Sequence, residues 1–386
     1  MFETIRKYIK GDSGIWIIII ILSIASLLAV YSSTVTLAYK HHGGNTSHYM
    51  FTQLFSIAAG FCIIIFMSNI NIRYYSRFAI PFLYFAIILL LYTLFYGSNI
   101  NEASRWTEIP FIGISFQPSE IAKLALVIYV ARMLARNQKD KVALSKAFKP
   151  IIIHTAIVFG LIFKDNFSTA MFILVVVIIM MFIGNMPFKY IFGTGVVLIA
   201  FAVLVLLLAP KFEFLQRAET WTARIEQFFS SEEVENKASN YQADQAKIAI
   251  ASGGFVGKGP GNSEQRNFLP HPYSDFIYAI IAEEYGFWGA LTILGAYVML
   301  LGRIGVIVRK SNRTFPAFMA LGLGILIVTQ AFINMGVSVG LFPVTGQPLP
   351  LVSKGTSSIF ATCLAFGAIL NASRQNDEEE QEKVKN

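Results

Sequence analysis

The stretch Pro270-His271-Pro272-Tyr273-Ser274-Asp275-Phe276-Ile277-Tyr278-Ala279-Ile280-Ile281-Ala282-Glu283-Glu284 joins the longest polar segment of the chain to a run of apolar residues. It sets one carboxylate, Asp275, at the mouth of a hydrophobic helix. A lone acid there is costly to desolvate and well placed to handle a proton. The same junction marks where a membrane span begins, so the neighbouring apolar runs decide the fold.

Of the 386 residues, 55% are hydrophobic and only 14% are charged, against roughly 25% charged in a soluble domain. Crossing about 30 Å of hydrocarbon takes about 20 apolar residues. Ten runs qualify: 15–35, 51–71, 78–96, 118–135, 150–164, 168–184, 188–209, 275–300, 315–340 and 352–372. The fifth and sixth, separated by Lys164-Asp165-Asn166, read as a tight hairpin with a polar tip. The expected fold is an all-α polytopic membrane protein with about ten transmembrane helices in one domain, 15–372. It is flanked by a short segment, 1–14, and an acidic tail, 373–386, whose charge run reads as solvated and disordered.

Lys and Arg set the orientation. Arg6, Lys7, Lys10, Arg73, Arg77, Arg132, Arg136, Lys139, Lys141, Lys146, Lys149, Lys189, Arg303, Arg309, Lys310, Arg313, Arg374, Lys383 and Lys385 fall on one side. Lys40, Arg105, Lys164 and Lys354 fall in the short loops of the other. Both termini are therefore expected in the cytoplasm, with a large extracytoplasmic loop, 210–274, between spans seven and eight. The first apolar run lacks a small-residue cleavage site, so no cleaved signal peptide is expected. The net charge of +8 follows from this asymmetry and points to anionic lipid, not nucleic acid. Cys62 and Cys363 lie inside spans and read as apolar fillers.

Three segments on the outer side are rich in Gly, Pro and polar residues: 97–120, 210–275 and 341–358. Their clustering puts the chemistry on that face. In the first, Arg105 beside Trp106 suits an interfacial anchor or a phosphate ligand equally. Glu120 and Lys123, three apart at the start of a span, should pair on one helix face and look toward the cavity that holds Asp275. In the second, residues 211–228 read as an amphipathic interfacial helix. A later helix carries Gln242 and Gln245 into Ser252-Gly253-Gly254, Gly257, Gly259 and Gly261. Glycine-rich turns are usually only turns, but exposed N–H groups there could cradle phosphate. In the third, Pro343, Pro348 and Pro350 forbid a continuous helix. Irregular backbone at membrane depth survives only around a protein-lined or watery cavity, which Ser353, Lys354, Ser357 and Ser358 would line. Gln330 and Asn334, four apart, suit interhelical hydrogen bonds better than a substrate role.

Five motifs taken together resemble the SEDS family of membrane proteins (shape, elongation, division and sporulation), typified by FtsW and RodA. They are Arg105-Trp106, Phe116-Gln117-Pro118-Ser119-Glu120 with Lys123, Ser252-Gly253-Gly254 with Gly257 and Gly259, Ser274-Asp275-Phe276 with Glu283-Glu284 and Gly286, and Pro343 through Ser358. The ending of the first segment is closer to the division branch, FtsW. The resemblance implies a GT-C-like helical bundle and a peptidoglycan glycosyltransferase that polymerises lipid II. It implies Asp275 as general base on the acceptor hydroxyl, with undecaprenyl pyrophosphate leaving. The substrate-binding set would be Arg105, Glu120, Lys123, Gln242, Gln245, Ser353, Lys354, Ser357 and Ser358. Donor pyrophosphate would meet Arg105 first and Lys354 second. Implied partners are a class B penicillin-binding protein and other divisome or elongasome membrane proteins, with no nucleic acid. Implied localisation is the bacterial cytoplasmic membrane with the active face outside. A divalent cation, Mg or Mn, is an alternative neutraliser of pyrophosphate, although no Asp-x-Asp motif appears. Two places depart from the family pattern: Lys354, where an aromatic is usual, and Asn166-Phe167, which follow Asp165 at the family's polar tip. A lipid II flippase and a non-catalytic scaffold that activates a partner synthase are the alternative readings.

Overall fold

The computed structural model describes residues 10–96, 98–100, 103–108, 115–138, 141–164, 166–208 and 238–385. The amphipathic stretch 211–228, Asp165, Lys139 and Asn101 fall outside them.

Each of the ten apolar runs coincides with a helix. These are α1 (Ser13–Ser33), α3 (Ser47–Asn69), α4 (Ile72–Tyr96), α5 (Pro118–Asn137), α6 (Lys141–Phe163), α7 (Phe167–Ile183), α8 (Phe188–Leu208), α10 (Ile277–Lys310), α11 (Thr314–Ser338) and α12 (Thr356–Lys385). A short α2 (Val35–His42) follows α1, and α9 (Ala238–Gly253) precedes α10. Seven of the helices are long and apolar enough to cross a membrane; α7 is apolar but shorter. The chain is a multi-pass membrane protein.

Local chemistry fixes several ends. Asp12 caps α1 by accepting from Ile15 N at 3.1 Å. Asn166 caps α7 by accepting from Thr169 N at 3.1 Å. Such caps satisfy otherwise orphaned N–H groups. Inside the bundle α11 is widely shared: it packs on α5, α7, α9, α10 and α12. Close packing relies on small residues. Gly60 of α3, for example, has Cys363 Sγ of α12 so near that an added Cβ would stand 2.6 Å from it. Cys363 is buried as expected, but Cys62 faces outward.

Three features differ from the sequence reading. A small antiparallel sheet, β1 (Ser98–Ile100), β2 (Ala103–Glu108) and β3 (Ser115–Phe116), lies between α4 and α5 in the chain and packs on both. It is too short and polar to give a strand pattern. Second, the tail expected to be disordered continues α12 to Lys385. Its charges are used: Arg374 pairs with Glu378 one turn on at 3.2 Å, Arg313 with Glu379 at 2.8 Å, and Asn376 Nδ2 donates to Ile307 O at 2.9 Å. Third, α10 is broken. Gly286 has φ +64° and ψ −160°, so the outer piece, 277–285, bends away from the long inner one.

The glycine-rich loop after α9 mends that break. Lys258 N donates to Glu283 O at 3.0 Å, Gly259 N to Glu284 O at 2.9 Å, and Phe287 N to Gly254 O at 2.9 Å. An added Cβ on Gly257 would lie 2.2 Å from Glu284 O, and one on Gly286 2.5 Å from Gly257 N. These glycines therefore allow two backbones to touch. The N–H groups of Lys258 and Gly259, read from sequence as a possible phosphate cradle, are spent on the freed carbonyls of α10.

Candidate active site at the mouth of the bundle

Asp275 stands half-buried, just ahead of Phe276, the N-cap of α10. Ser274 Oγ donates to its Oδ1 at 2.9 Å. Its backbone is held by a clamp. Three successive carbonyls, Tyr273, Ser274 and Asp275, accept from Lys354 N at 2.9 Å, Ser353 Oγ at 2.6 Å and Asn334 Nδ2 at 2.8 Å. The loop between α11 and α12 and the end of α11 thereby fix where the acid points. Gly346 lies under it: an added Cβ would stand 3.6 Å from Oδ2.

The clamping loop is itself tied on every side. Asn334 Nδ2 also donates to Gln347 O at 2.7 Å, and Gln347 Nε2 to Thr169 Oγ1 of α7 at 2.7 Å. Gln330 Nε2 reaches Pro348 O at 2.9 Å, Tyr297 OH reaches Pro350 O at 2.6 Å, and Ser26 Oγ reaches Val352 O at 2.9 Å. Leu351 takes φ +67° within it, a conformation that only a well-braced non-glycine residue keeps. Gln330 and Asn334 thus tether α11 to these loop carbonyls, and Gln330 also accepts from Lys123 of α5.

The charges divide into two kinds. Glu120 and Lys123 pair at 2.7 Å, and Lys123 Nζ also donates to Gln330 Oε1 at 3.0 Å. Lys123 is only 2% exposed. The pair lines a cavity of about 20 Å³ with Gln330, Pro350 and Thr362, and Asp275 is not in its wall. Such a space holds about one water. The expectation that the pair shares a cavity with Asp275 is corrected here: the link runs through Gln330 and the Pro348 carbonyl. Two of its three donors meet Glu120 and Gln330 and its Nζ lies 5.7 Å from the Phe172 ring centroid, so Lys123 is held inside the fold with Glu120 as its counter-ion. Ser353 is likewise saturated, since it also accepts from Leu349 N at 2.8 Å.

Lys354 is of the other kind. Its Nζ lies 4.3 Å from the centroid of the Tyr49 ring and 4.9 Å from that of Tyr273. Among the described residues it makes no ion pair with a carboxylate. Burial with little compensation lowers its pKa to about 8. The aromatic rings supply only a cation–π attraction. Burial, with Asp275 as a lesser cause, raises the Tyr273 phenol above its ordinary value. Ser357 is half-buried at the start of α12 and Ser358 is buried one residue on. Gln242 and Gln245 lie half-buried on α9, whose Ala246 and Ala249 pack with Phe276 and Ile280 beside the acid. Arg105 is the third residue of β2; its side chain falls outside the described set.

Sequence reading missed Glu283. Fully buried in the outer piece of α10, it accepts from Lys258 Nζ at 2.9 Å, Ser263 Oγ, Glu264 N at 3.1 Å and Gln265 N at 3.3 Å. The Glu283 hydrogen bond holds the Lys258 ammonium above its ordinary pKa. A buried carboxylate so fully bonded anchors the outer loop to the helix that starts at the site. Its signal was the adjacent acid pair Glu283-Glu284 inside an apolar run.

Among the described residues no group of three or more His, Cys, Asp or Glu is placed to hold a metal. The described side chains do not fit a protein-held divalent cation.

This geometry defines a class: a polytopic helical membrane protein with, at one end of the bundle, a clamped acid and a lysine that has no ion-pair partner among the described residues. Residues 12–378 match the family model of the FtsW, RodA and SpoVE cell cycle proteins, and the chain belongs to that family. It is 32% identical to the "Probable peptidoglycan glycosyltransferase FtsW" of Trichlorobacter lovleyi over 97% of this chain and 96% of the relative. It is 30% identical to the protein of the same name from Coxiella burnetii, over 96% of this chain and 99% of the relative. As a member of this family close to the FtsW proteins, it is a glycosyltransferase. Two solved structures share the fold. One, described as the structural coordination of polymerization and crosslinking by a peptidoglycan synthase complex, has a TM-score of 0.75 at 23% identity and covers 96% of this chain and 99% of its own. The other, the Thermus thermophilus rod shape determining protein RodA, has a TM-score of 0.69 at 23% identity with the same coverage.

Proposed function

We propose that this protein polymerises lipid II into peptidoglycan glycan strands, with Asp275 as general base. The observation that carries the reading is the three-carbonyl clamp, which holds a half-buried carboxylate at the mouth of the bundle. The acceptor sugar's 4-hydroxyl gives its proton to the Asp275 carboxylate. Its oxygen bonds to the anomeric carbon of the donor. The bond from that carbon to pyrophosphate breaks, and undecaprenyl pyrophosphate leaves with the electron pair. Such a positioned base contributes roughly 10²–10⁴-fold.

Lys354, and Arg105 on β2, are the cations proposed to meet the pyrophosphate charge. Gln242, Gln245, Ser357 and Ser358 are proposed to orient the sugars and peptide. Lys123, Glu120 and Ser353 act through the loop as positioning residues. The bundle is proposed to span ten times with both termini cytoplasmic and the site outside, in the bacterial cytoplasmic membrane. A class B penicillin-binding protein is the proposed partner, in keeping with the synthase complex described for the structural relative.

The test uses purified protein with its partner and lipid II, and reads glycan length on a gel. Asp275→Asn should abolish polymer roughly 10²–10⁴-fold with melting temperature, partner binding and lipid II binding unchanged. Polymer at the wild-type rate would overturn the assignment and favour a scaffold that activates a partner. Loss of lipid II transfer across a vesicle membrane would favour a flippase.

A further inference from the structure

The end of the bundle that carries the chain termini holds two groups of cations, and the chain treats them differently. Near the end of α10, the start of α11 and the facing part of α12, four cations each have a carboxylate. Arg303 pairs with Asp12, Lys310 with Glu380 at 3.6 Å, Arg313 with Glu379 at 2.8 Å, and Arg374 with Glu378 at 3.2 Å.

At the same end of α4, α5 and α6, six cations have none among the described residues. Arg73 and Arg77 stand four apart at the start of α4, Arg132 and Arg136 four apart at the end of α5, and Lys146 and Lys149 three apart in α6. These helices pack on one another. Like charges at such spacings repel on a helix face, so three such pairs together are unfavourable unless an anion joins them. Among the described residues no ion pair links any of the six to a carboxylate. The sequence from 70 to 90 contains no acid, and that from 130 to 160 contains only Asp140, outside the described residues.

One arginine is already positioned. Arg132 Nη1 donates to the Arg77 carbonyl at 3.4 Å, which holds the α5 guanidinium against α4. Its Nε is buried and has no hydrogen-bond partner, and a buried donor left unmade is costly. On α4, each one residue on from Arg73 and Arg77, Tyr74 and Phe78 stack at 6.2 Å and are 53% and 54% exposed. Aromatic pairs of this kind settle at the headgroup level of a bilayer. The cluster therefore offers a guanidinium fork for a phosphate beside an apolar flank for chains.

We infer that the cytoplasmic ends of α4, α5 and α6 bind an anionic phospholipid of the inner leaflet. Its phosphate is taken by Arg132 with Arg73, Arg77 and Arg136, and its chains lie along Tyr74 and Phe78. The inference rests on the orientation proposed above and is independent of the chemistry at Asp275.

The full chain in nanodiscs of phosphatidylcholine with a minority of phosphatidylglycerol tests it, the retained lipids being identified by native mass spectrometry. The wild type should retain phosphatidylglycerol above its share of the bilayer. Arg132→Gln with Arg136→Gln should lose that preference, roughly fivefold per cation removed. Arg73→Gln with Arg77→Gln, at the exposed start of α4, should do the same and carries the test if the first variant does not fold. Arg313→Gln, from the paired group, should change nothing. Retention at the bulk ratio by the wild type, or undiminished preference in both double variants, would overturn the inference. So would preferential capture of a polyglutamate peptide when both are offered, which would make this face a dock for an acidic protein segment.

Discussion

Lys123 and Lys354 both border the loop between α11 and α12, yet their surroundings are opposite. Around Lys123 the chain supplies a carboxylate at 2.7 Å, an amide oxygen at 3.0 Å and almost complete burial. Around Lys354 it supplies two phenol rings and no carboxylate among the described residues. A charge whose needs are met inside the fold serves the fold. A charge held half-buried and undercompensated keeps its attraction for an incoming anion. Glu283 is fully buried and bonded by the loop before α10, while Asp275 has its backbone clamped by three donors and a half-buried carboxylate that accepts from Ser274 Oγ.

The comparison can be broken most forcefully at Lys123. Removing one partner of a buried ion pair costs about 3–5 kcal/mol. Lys123→Ala should therefore lower the melting temperature sharply in detergent. Glu120→Ala with Lys123→Ala should cost less than the two single changes summed, because the stranded charge is gone too. If Lys123→Ala melted like the wild type but bound lipid II poorly, Lys123 would belong with Lys354. Next in size, Asn334→Ala leaves the Asp275 and Gln347 carbonyls without their shared donor, at about 1–3 kcal/mol. Polymer formation should fall further than thermal stability alone accounts for, because the acid loses its aim.

Lys354→Met tests the other side. It keeps the length and removes the charge, so stability should hold while lipid II binding weakens roughly tenfold or more. The pH dependence carries a definite sign. With its pKa lowered to about 8, Lys354 is charged below that pH, so the binding advantage over Lys354→Met should be present there and fade above. Stability runs the other way. Between about 8 and the unfolded value of about 10.4 the unfolded chain holds the proton and the folded chain does not. The wild type should gain stability relative to Lys354→Met as pH rises through that window. The smallest expected effect is at Arg105→Lys. The fork is lost and the charge kept, so lipid II binding should weaken by a few-fold, on the order of 1 kcal/mol. Wild-type affinity in nanodiscs would make Arg105 an interfacial anchor instead.

These contrasts show which parts of the site the sequence carries. The Glu120–Lys123 pair was legible because a three-residue spacing and the cost of bare charge in a membrane leave one economical arrangement. The apolar runs were legible for the same reason that a bilayer has a thickness. The ends were not: α6 begins at Lys141, nine residues before the apolar run, because the amphipathic stretch from Lys141 to Lys149 continues the same helix. The tail of α12 was missed because its order comes from Ile307, Arg313 and Asn312, distant in sequence. The clamp on Asp275 and the Tyr49–Tyr273 cradle of Lys354 were equally invisible. They join residues from three separate segments, and no local pattern announces a carbonyl's partner. The glycines were noticed but misread, since close approach of two backbones and phosphate cradling ask for the same residue.

Because Gly286 interrupts α10, its outer piece cannot satisfy its own carbonyls and depends on residues 254–259 to do so. Those residues precede it in the chain. A ribosome delivers the N-terminal side first, so the template has already been made when the piece it completes emerges. Asp275 lies between the two and is drawn into place as they meet. Synthesis order is thus written into the site: a circular permutant that began between 260 and 275 would make the helix before its mend. It should insert poorly even though every contact of the finished molecule remains available to it.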